Sequence, residues 1–103
     1  MTQRVAFALK VRPDKIDEYV RVHREVWPEM RDAIQAAGIR NYSIFRDGNR
    51  VFGYFETDDP EAAERYLAQQ DVSRRWQDAM ADLLEERVPD RGPAALEEIF
   101  RLD

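Results

Sequence analysis

Residues 39–56 read IRNYSIFRDGNRVFGYFE, and the fold turns on them. Asp47-Gly48-Asn49 separates two runs that alternate side to side: Tyr42 and Ile44 against Asn41, Ser43 and Phe45, then Phe52 and Tyr54 against Val51 and Phe55. A period of two is the signature of a strand, and glycine supplies the positive φ that a tight hairpin turn requires. Ile39 to Arg46 and Val51 to Glu56 are therefore predicted to pair antiparallel.

On the N-terminal side, Arg4 to Val11 alternates as well, with Val5, Phe7, Leu9 and Val11 on one face, and is predicted as a first strand. Between it and the hairpin, Ile16, Tyr19, Val20, His23, Val26, Trp27, Met30 and Ile34 recur at spacings of three and four, which places them along one side of a helix. Asp14 and Asp17 are expected to assist its start. Pro28 has no amide proton and its ring collides with the preceding turn, so the helix is expected to kink or restart near Trp27, and Gly38 to end it.

Beyond the hairpin, Asp59-Pro60-Glu61 has the order of a helix start and opens a segment carrying Ala62, Ala63, Tyr66 and Leu67. Asp71 or Ser73 is expected to cap the next helix, with Val72, Trp76, Ala79, Met80, Leu83 and Leu84 as its buried stripe. Pro89, Gly92 and Pro93 mark the loop that leaves it. Leu96, Glu98, Phe100 and Leu102 then alternate with Glu97, Ile99 and Arg101, predicting a final strand.

The order strand, helix, strand, strand, helix, strand predicts one α+β domain over residues 1–103, a ferredoxin-like split β-α-β sandwich with helices on one sheet face. Several strands are apolar on both faces. A bare apolar sheet face of several hundred Å² is unusual on a monomer, so the expected assembly is a homodimer packed sheet to sheet, a dimeric α+β barrel. The concave space between sheet and helices is the expected ligand site.

Composition narrows the function. Sixteen Lys and Arg stand against twenty-one Asp and Glu, a net charge of −5, so the overall field repels polyphosphate backbones and anionic membranes, and neither nucleic acid nor membrane is expected as a partner. At 44% hydrophobic and 36% charged the chain has material for a core and a solvated exterior. There is no cysteine, hence no disulfide frame or thiolate nucleophile, and the single histidine cannot build the two-His sites of zinc enzymes. Metal ligation is starved, leaving at most a mixed His and carboxylate site. The start of the chain lacks a signal-peptide apolar run and no stretch reaches the ~18 apolar residues of a membrane span, so a cytoplasmic location is expected.

His23 is the one side chain ready to exchange protons near neutrality, with an ordinary pKa of ~6.5. Tyr19 lies one helical turn before it and Trp27 one turn after. It is either a core histidine bonded to a backbone carbonyl or a proton-transfer group. Tyr19 and Tyr42 are either rim residues of the core or hydroxyl donors in a polar pocket, and Trp27 and Trp76 either fill space or offer an aromatic plane to a sugar ring. Arg74 and Arg75 read as a solvated helix flank and Glu56 as a surface carboxylate. The four glycines are scattered, so no phosphate loop exists.

The segment from Tyr19 to Glu29, Tyr-Val-Arg-Val-His-Arg-Glu-Val-Trp-Pro-Glu, resembles the motif of the L-rhamnose mutarotases. Asn41-Tyr42, Asp71-Val72-Ser73-Arg74-Arg75-Trp76 and Leu96 to Leu102 resemble that family at matching separations, and the likeness spans nearly the whole chain. The resemblance implies a homodimeric isomerase without a cofactor that interconverts the α and β anomers of L-rhamnose. It implies His23 as proton donor and Tyr19, Tyr42 and Trp76 as sugar contacts. Gln77 stands where the family often has a second tryptophan, and an amide there can bond a sugar hydroxyl, which bears on which deoxyhexose is preferred. The same architecture also hosts cofactor-independent monooxygenases and small-ligand-binding dimers.

The residues suit the implied chemistry. Mutarotation moves a proton off the anomeric hydroxyl and one onto the ring oxygen, the ring opens, the aldehyde rotates and the ring closes on the other face. A positioned acid or base contributes ~10²- to 10⁴-fold to such a step. His23 is assigned here as the acid toward the ring oxygen, with either tyrosine, or a water, handling the second proton.

Overall fold

The structure, a computed structural model, describes residues 1–88 and 93–102. Strand β1 (Gln3–Lys10) leads through a short 3₁₀ turn at Pro13–Lys15 into α1 (Ile16–Arg24) and α2 (Pro28–Ala36). The hairpin β2 (Arg40–Asp47) and β3 (Arg50–Thr57) follows, then α3 (Pro60–Ala68) and α4 (Asp71–Ala81). β3 lies in the middle, antiparallel to both neighbours, in the order β1-β3-β2. Asp47 faces Arg50 across the turn, and Gly48 has φ +60°, the conformation for which a glycine is needed there.

The ferredoxin-like barrel expected from the sequence does not form. Among the described residues the sheet has three strands, it is not closed, and Leu96–Leu102 is not one of its strands. A strand needs a run of ladder bonds, and among the described residues the segment makes one backbone bond to the sheet: beside the free edge of β1 the Leu96 amide donates to the Ala6 carbonyl at 2.7 Å, and Arg4 meets Glu98. Ile99, Phe100 and Leu102 are accordingly 89%, 77% and 84% exposed. Alternation reports which sides a strand would bury; it does not supply the edge that strand must pair with. Pro89 and Gly92 lie outside the described residues.

Pro28 restarts the helical run as expected: α1 stops at Arg24 and Pro28 opens α2, at a position where a missing amide proton costs nothing. Asp59 caps α3, its carboxylate accepting from the Ala62 amide at 3.1 Å. The other expected caps are absent. Lys15 precedes α1 and Gln70 precedes α4, neither with a side-chain cap, so Asp14, Asp17, Asp71 and Ser73 do not serve. Asp71 falls inside the first turn of α4, and its carboxylate is taken by Arg74 and Arg75 at 3.1 and 2.9 Å. Arg75 also reaches Glu29 on α2 at 3.2 Å, a solvated tie of the kind worth ~0–1 kcal/mol.

The helices cover one sheet face. Val11, Tyr19, Val51, Met80, Leu83 and Leu84 form one buried cluster and Met30, Ala33 and Val72 another, with Trp76 packed against both. Sealing each large apolar side chain in these clusters contributes ~1.5–3 kcal/mol, so they set the positions of α1, α2 and α4 over the sheet. The opposite face carries Phe45, 66% exposed, with Phe52 as its cross-strand neighbour. Among the described residues no helix is long and apolar enough to cross a membrane.

Candidate active site

Each helix turns a three-and-four-spaced stripe toward the sheet, and the stripes enclose a cavity of about 430 Å³. That volume lies in the ~300–1,000 Å³ range of small-molecule sites. Tyr19 and His23 enter it from α1, Ser73, Trp76, Gln77 and Met80 from α4, and Phe7, Tyr42 and Phe55 from the sheet. The structure thus brings together His23, Tyr19, Tyr42, Trp76 and Gln77, whose positions span more than half of the chain. It leaves others out. Trp27 lines no cavity; it sits edge-on to Trp76, ring centroids 5.1 Å apart, and fills space beside Met30 and Val72. Arg74 and Arg75 lie in the surface ion pairs described above. Glu56 accepts from Asn41 and Tyr54 at 3.0 and 2.9 Å on the sheet face away from the helices.

His23 Nδ1 lies 2.8 Å from the carbonyl oxygen of Tyr19. A carbonyl only accepts, so Nδ1 carries the proton and the neutral ring keeps its lone pair on Nε2. The imidazole is half-buried, stacked on the Tyr19 ring at 4.0 Å and edge-on to Trp76 at 5.3 Å. Burial lowers its pKa below the ordinary histidine value, partly offset by the bond to Tyr19. The resting ring is neutral at pH 7.

Both phenols are held in the opposite sense. Burial pushes Tyr19 up to about 12, and burial together with the neighbouring Tyr19 phenol pushes Tyr42 up as well. They stay protonated and can donate. Both phenols line the cavity and neither hydroxyl has a hydrogen-bond partner among the described residues. Tyr42 is 39% exposed as a residue.

Tyr42 shares the helix side with Ile44, as their alternation predicts, edge-on to Phe7 at 6.3 Å and 5.4 Å from Phe55. Just before it β2 carries one extra residue between Arg40 and Ser43, and Asn41 takes φ 52°, a left-handed conformation that asparagine tolerates. Phe7 in turn lies flat over Gly53, directly across the ladder, where any Cβ would collide with its ring. Ser73, 2% exposed, was passed over as a site residue by the sequence reading, although it stands three before Trp76 and four before Gln77 on the cavity side of α4.

A family model for the L-rhamnose mutarotases matches residues 4–102. The chain belongs to the L-rhamnose mutarotase family. Curated relatives include the L-rhamnose mutarotase of Pectobacterium atrosepticum, 41% identical with 97% of this chain and 98% of that one covered, and that of Bacillus subtilis, 40% identical with 98% and 99% covered. A crystal structure of an L-rhamnose mutarotase from Formosa agariphila superimposes with a TM-score of 0.79 at 30% identity, covering 98% of this chain and 99% of that one. A conserved protein from Methanosarcina mazei, 15% identical with a TM-score of 0.63, shares the fold over 84% of each chain. Among the described residues no three His, Asp or Glu side chains converge where a cation would sit. In this member of the family the cavity brings an imidazole, two phenols, a buried serine and the Gln77 amide to an aromatic and aliphatic wall, with Gln3, Arg4, Glu64 and Arg87 also in its lining.

Proposed function

We propose that this protein is an L-rhamnose mutarotase that exchanges the α and β anomers by acid–base ring opening and closure at His23. The observation that carries the reading is the bond between His23 Nδ1 and the Tyr19 carbonyl inside a sugar-sized cavity, because it leaves Nε2 as an uncommitted base beside two protonated phenols.

The sequence cast His23 as the acid toward the ring oxygen. Resting neutral, it first takes the proton of the anomeric hydroxyl through Nε2, and the imidazolium so formed is the acid that the ring oxygen needs. Both oxygens are bonded to the anomeric carbon, so one nitrogen can serve them in turn. The phenols of Tyr19 and Tyr42 donate to sugar oxygens and hold the ring, Trp76 forms an aromatic wall, and the Gln77 amide reaches a hydroxyl. No cofactor enters this scheme.

The working unit is a homodimer joined through the sheet face that bears Phe45, Phe52 and Tyr54. The partners this reading admits are a monosaccharide and a second copy of the chain. Nucleic acid and membranes have no part in it.

Saturation-transfer NMR on L-rhamnose is the test. The wild-type protein, stripped of metal by chelator, speeds anomer exchange. His23→Ala, folded by circular dichroism, loses ~10²- to 10⁴-fold of that rate. Full activity in the variant would remove the histidine from the reaction, and no exchange by the wild type would remove the function.

A further inference from the structure

Tyr19, His23, Tyr42 and Trp76 have a second open side. Beyond them lies another cavity, of about 700 Å³, which shares these four and the apolar Met30, Ile34, Ile39 and Ile44 with the first and is otherwise lined mainly from α1, α2 and β2. Arg24, Arg31, Arg40 and Arg46 line it, together with Gln35 and Asn41, and no carboxylate does. In a chain of net charge −5 that is a marked local reversal.

Three of these guanidinium groups are uncommitted. Arg40 pairs with Asp58 at 3.0 Å, whereas Arg24, Arg31 and Arg46 have no ion-pair partner among the described residues. Elsewhere on the surface Arg4, Arg12, Arg21, Arg74, Arg75 and Arg87 meet carboxylates, while Arg50, over the Phe52 ring, and Arg65 stand apart from one another and from this cavity's lining. The nearest acids on this side, Asp17 and Glu25, border an adjoining shallow depression with Arg24 and Arg46, but none comes within ion-pairing distance of them. A cavity rimmed by unpaired planar donors is suited to a carboxylate or phosphate, which a guanidinium can grip through two parallel hydrogen bonds.

L-rhamnose is neutral and gives these arginines nothing to bind. We infer that this second lobe is an anion-accepting vestibule, through which the enzyme takes aldoses that carry a carboxylate or phosphate away from the anomeric carbon in preference to their neutral counterparts. The inference rests on the mutarotase reading: the anomeric carbon sits at His23 as before, and the charged end of the sugar points out among Arg24, Arg31 and Arg46.

The experiment measures enzyme-dependent anomer exchange for D-galacturonate against D-galactose and for D-mannose 6-phosphate against D-mannose, with L-rhamnose in parallel. At low ionic strength the charged member of at least one pair exchanges about tenfold faster than its neutral counterpart, the worth of one charge-assisted hydrogen bond. Which pair responds tells carboxylate from phosphate. The ratio falls toward one in 0.5 M salt and in Arg31→Ala/Arg46→Ala. Activity on rhamnose with ratios near one in the wild type overturns the vestibule and leaves the mutarotase standing. A ratio untouched by the double substitution overturns it too. If no sugar responds at all, titration with inorganic phosphate decides: shifts at the Arg31 and Arg46 side-chain resonances support the vestibule and their absence overturns it. Loss of the dimer in the double variant would assign the arginines to the second copy instead and would likewise sink the proposal.

Discussion

His23 and Tyr19 orient each other within a single helix. The imidazole Nδ1–H donates to the Tyr19 carbonyl at 2.8 Å one turn back, and the two rings stack at 4.0 Å. A backbone carbonyl has two lone pairs, so the Tyr19 oxygen can accept the ring proton beside its part in the helix. The candidate catalyst is thus set by the local geometry of α1, and the rest of the fold has only to bring Tyr42 and Trp76 to it.

The pH dependence follows from the direction in which burial moves His23. Its folded value lies below the ordinary ~6.5, so the active neutral form predominates at pH 7 and is lost as the pH falls through that lowered value. The exchange rate on L-rhamnose is therefore expected to be flat from neutral to mildly alkaline pH, with an acid limb whose midpoint lies below 6.5. Stability moves in the same sense. The unfolded chain takes up a proton at His23 before the folded chain does, so this residue's contribution is complete above ~6.5 and is lost as the pH falls from there through the folded value. Glu56, Asp58 and Asp71, all held below the usual carboxylate range by their hydrogen bonds, act only at lower pH. In His23→Gln the upper part of the acid slope in melting temperature should vanish. An acid limb centred at or above 6.5 would contradict the burial argument.

Deleting either phenolic oxygen should separate function from stability. Tyr19→Phe and Tyr42→Phe each remove a desolvated hydroxyl without a protein partner, so neither is expected to lower the melting temperature. Each takes one hydrogen bond from the bound sugar, and kcat/KM for anomer exchange should fall about tenfold. A drop in stability without loss of activity would make these hydroxyls structural.

Gly53 is a packing requirement of the cavity floor. The Phe7 ring occupies the space where a β-carbon would stand, so Gly53→Ala must push the ring away and deform the wall it forms. A loss of ~1–3 kcal/mol is expected, read as a lower urea midpoint, together with weaker sugar binding. Phe7→Leu in the Gly53→Ala background relieves the collision and should recover part of the stability. If Gly53→Ala alone is neutral, the ring moves freely and the floor is soft.

Much of this was readable before any coordinates. The hairpin was fixed by Asp47-Gly48-Asn49 between two alternating runs, and the restart at Pro28 by the chemistry of a missing amide proton, because both signals are local. Tyr19 and His23 shared a side by spacing alone. One thing was not readable. Leu96–Leu102 alternates as a strand does, but a strand exists only where a run of ladder bonds forms, and no property of the segment itself encodes that. Tyr42 keeps the side that alternation with Ile44 gives it. Ser73 was within reach, since it shares the three-and-four spacing of Trp76 and Gln77, but at the start of a helical run a serine reads as a cap.

The outer sheet face supports one more expectation. Phe45 is 66% exposed opposite Phe52, and Tyr54 has its hydroxyl satisfied by Glu56, which Asn41 also holds. The polar groups of Tyr54, Glu56 and Asn41 on that face already satisfy one another, which favours sealing it in an interface of ~800 Å² per partner. Sedimentation equilibrium at micromolar concentration should give twice the chain mass of 12.2 kDa. Phe45→Glu sets like charges against each other across a two-fold axis and should return the mass to that of one chain, whereas Phe45→Leu should not. The cavity lies on the other side of the sheet, so a monomeric Phe45→Glu that retains anomer exchange would show that one chain completes its own site. A wild-type protein that sediments as a single chain would leave the exposed aromatic face without the partner assigned to it.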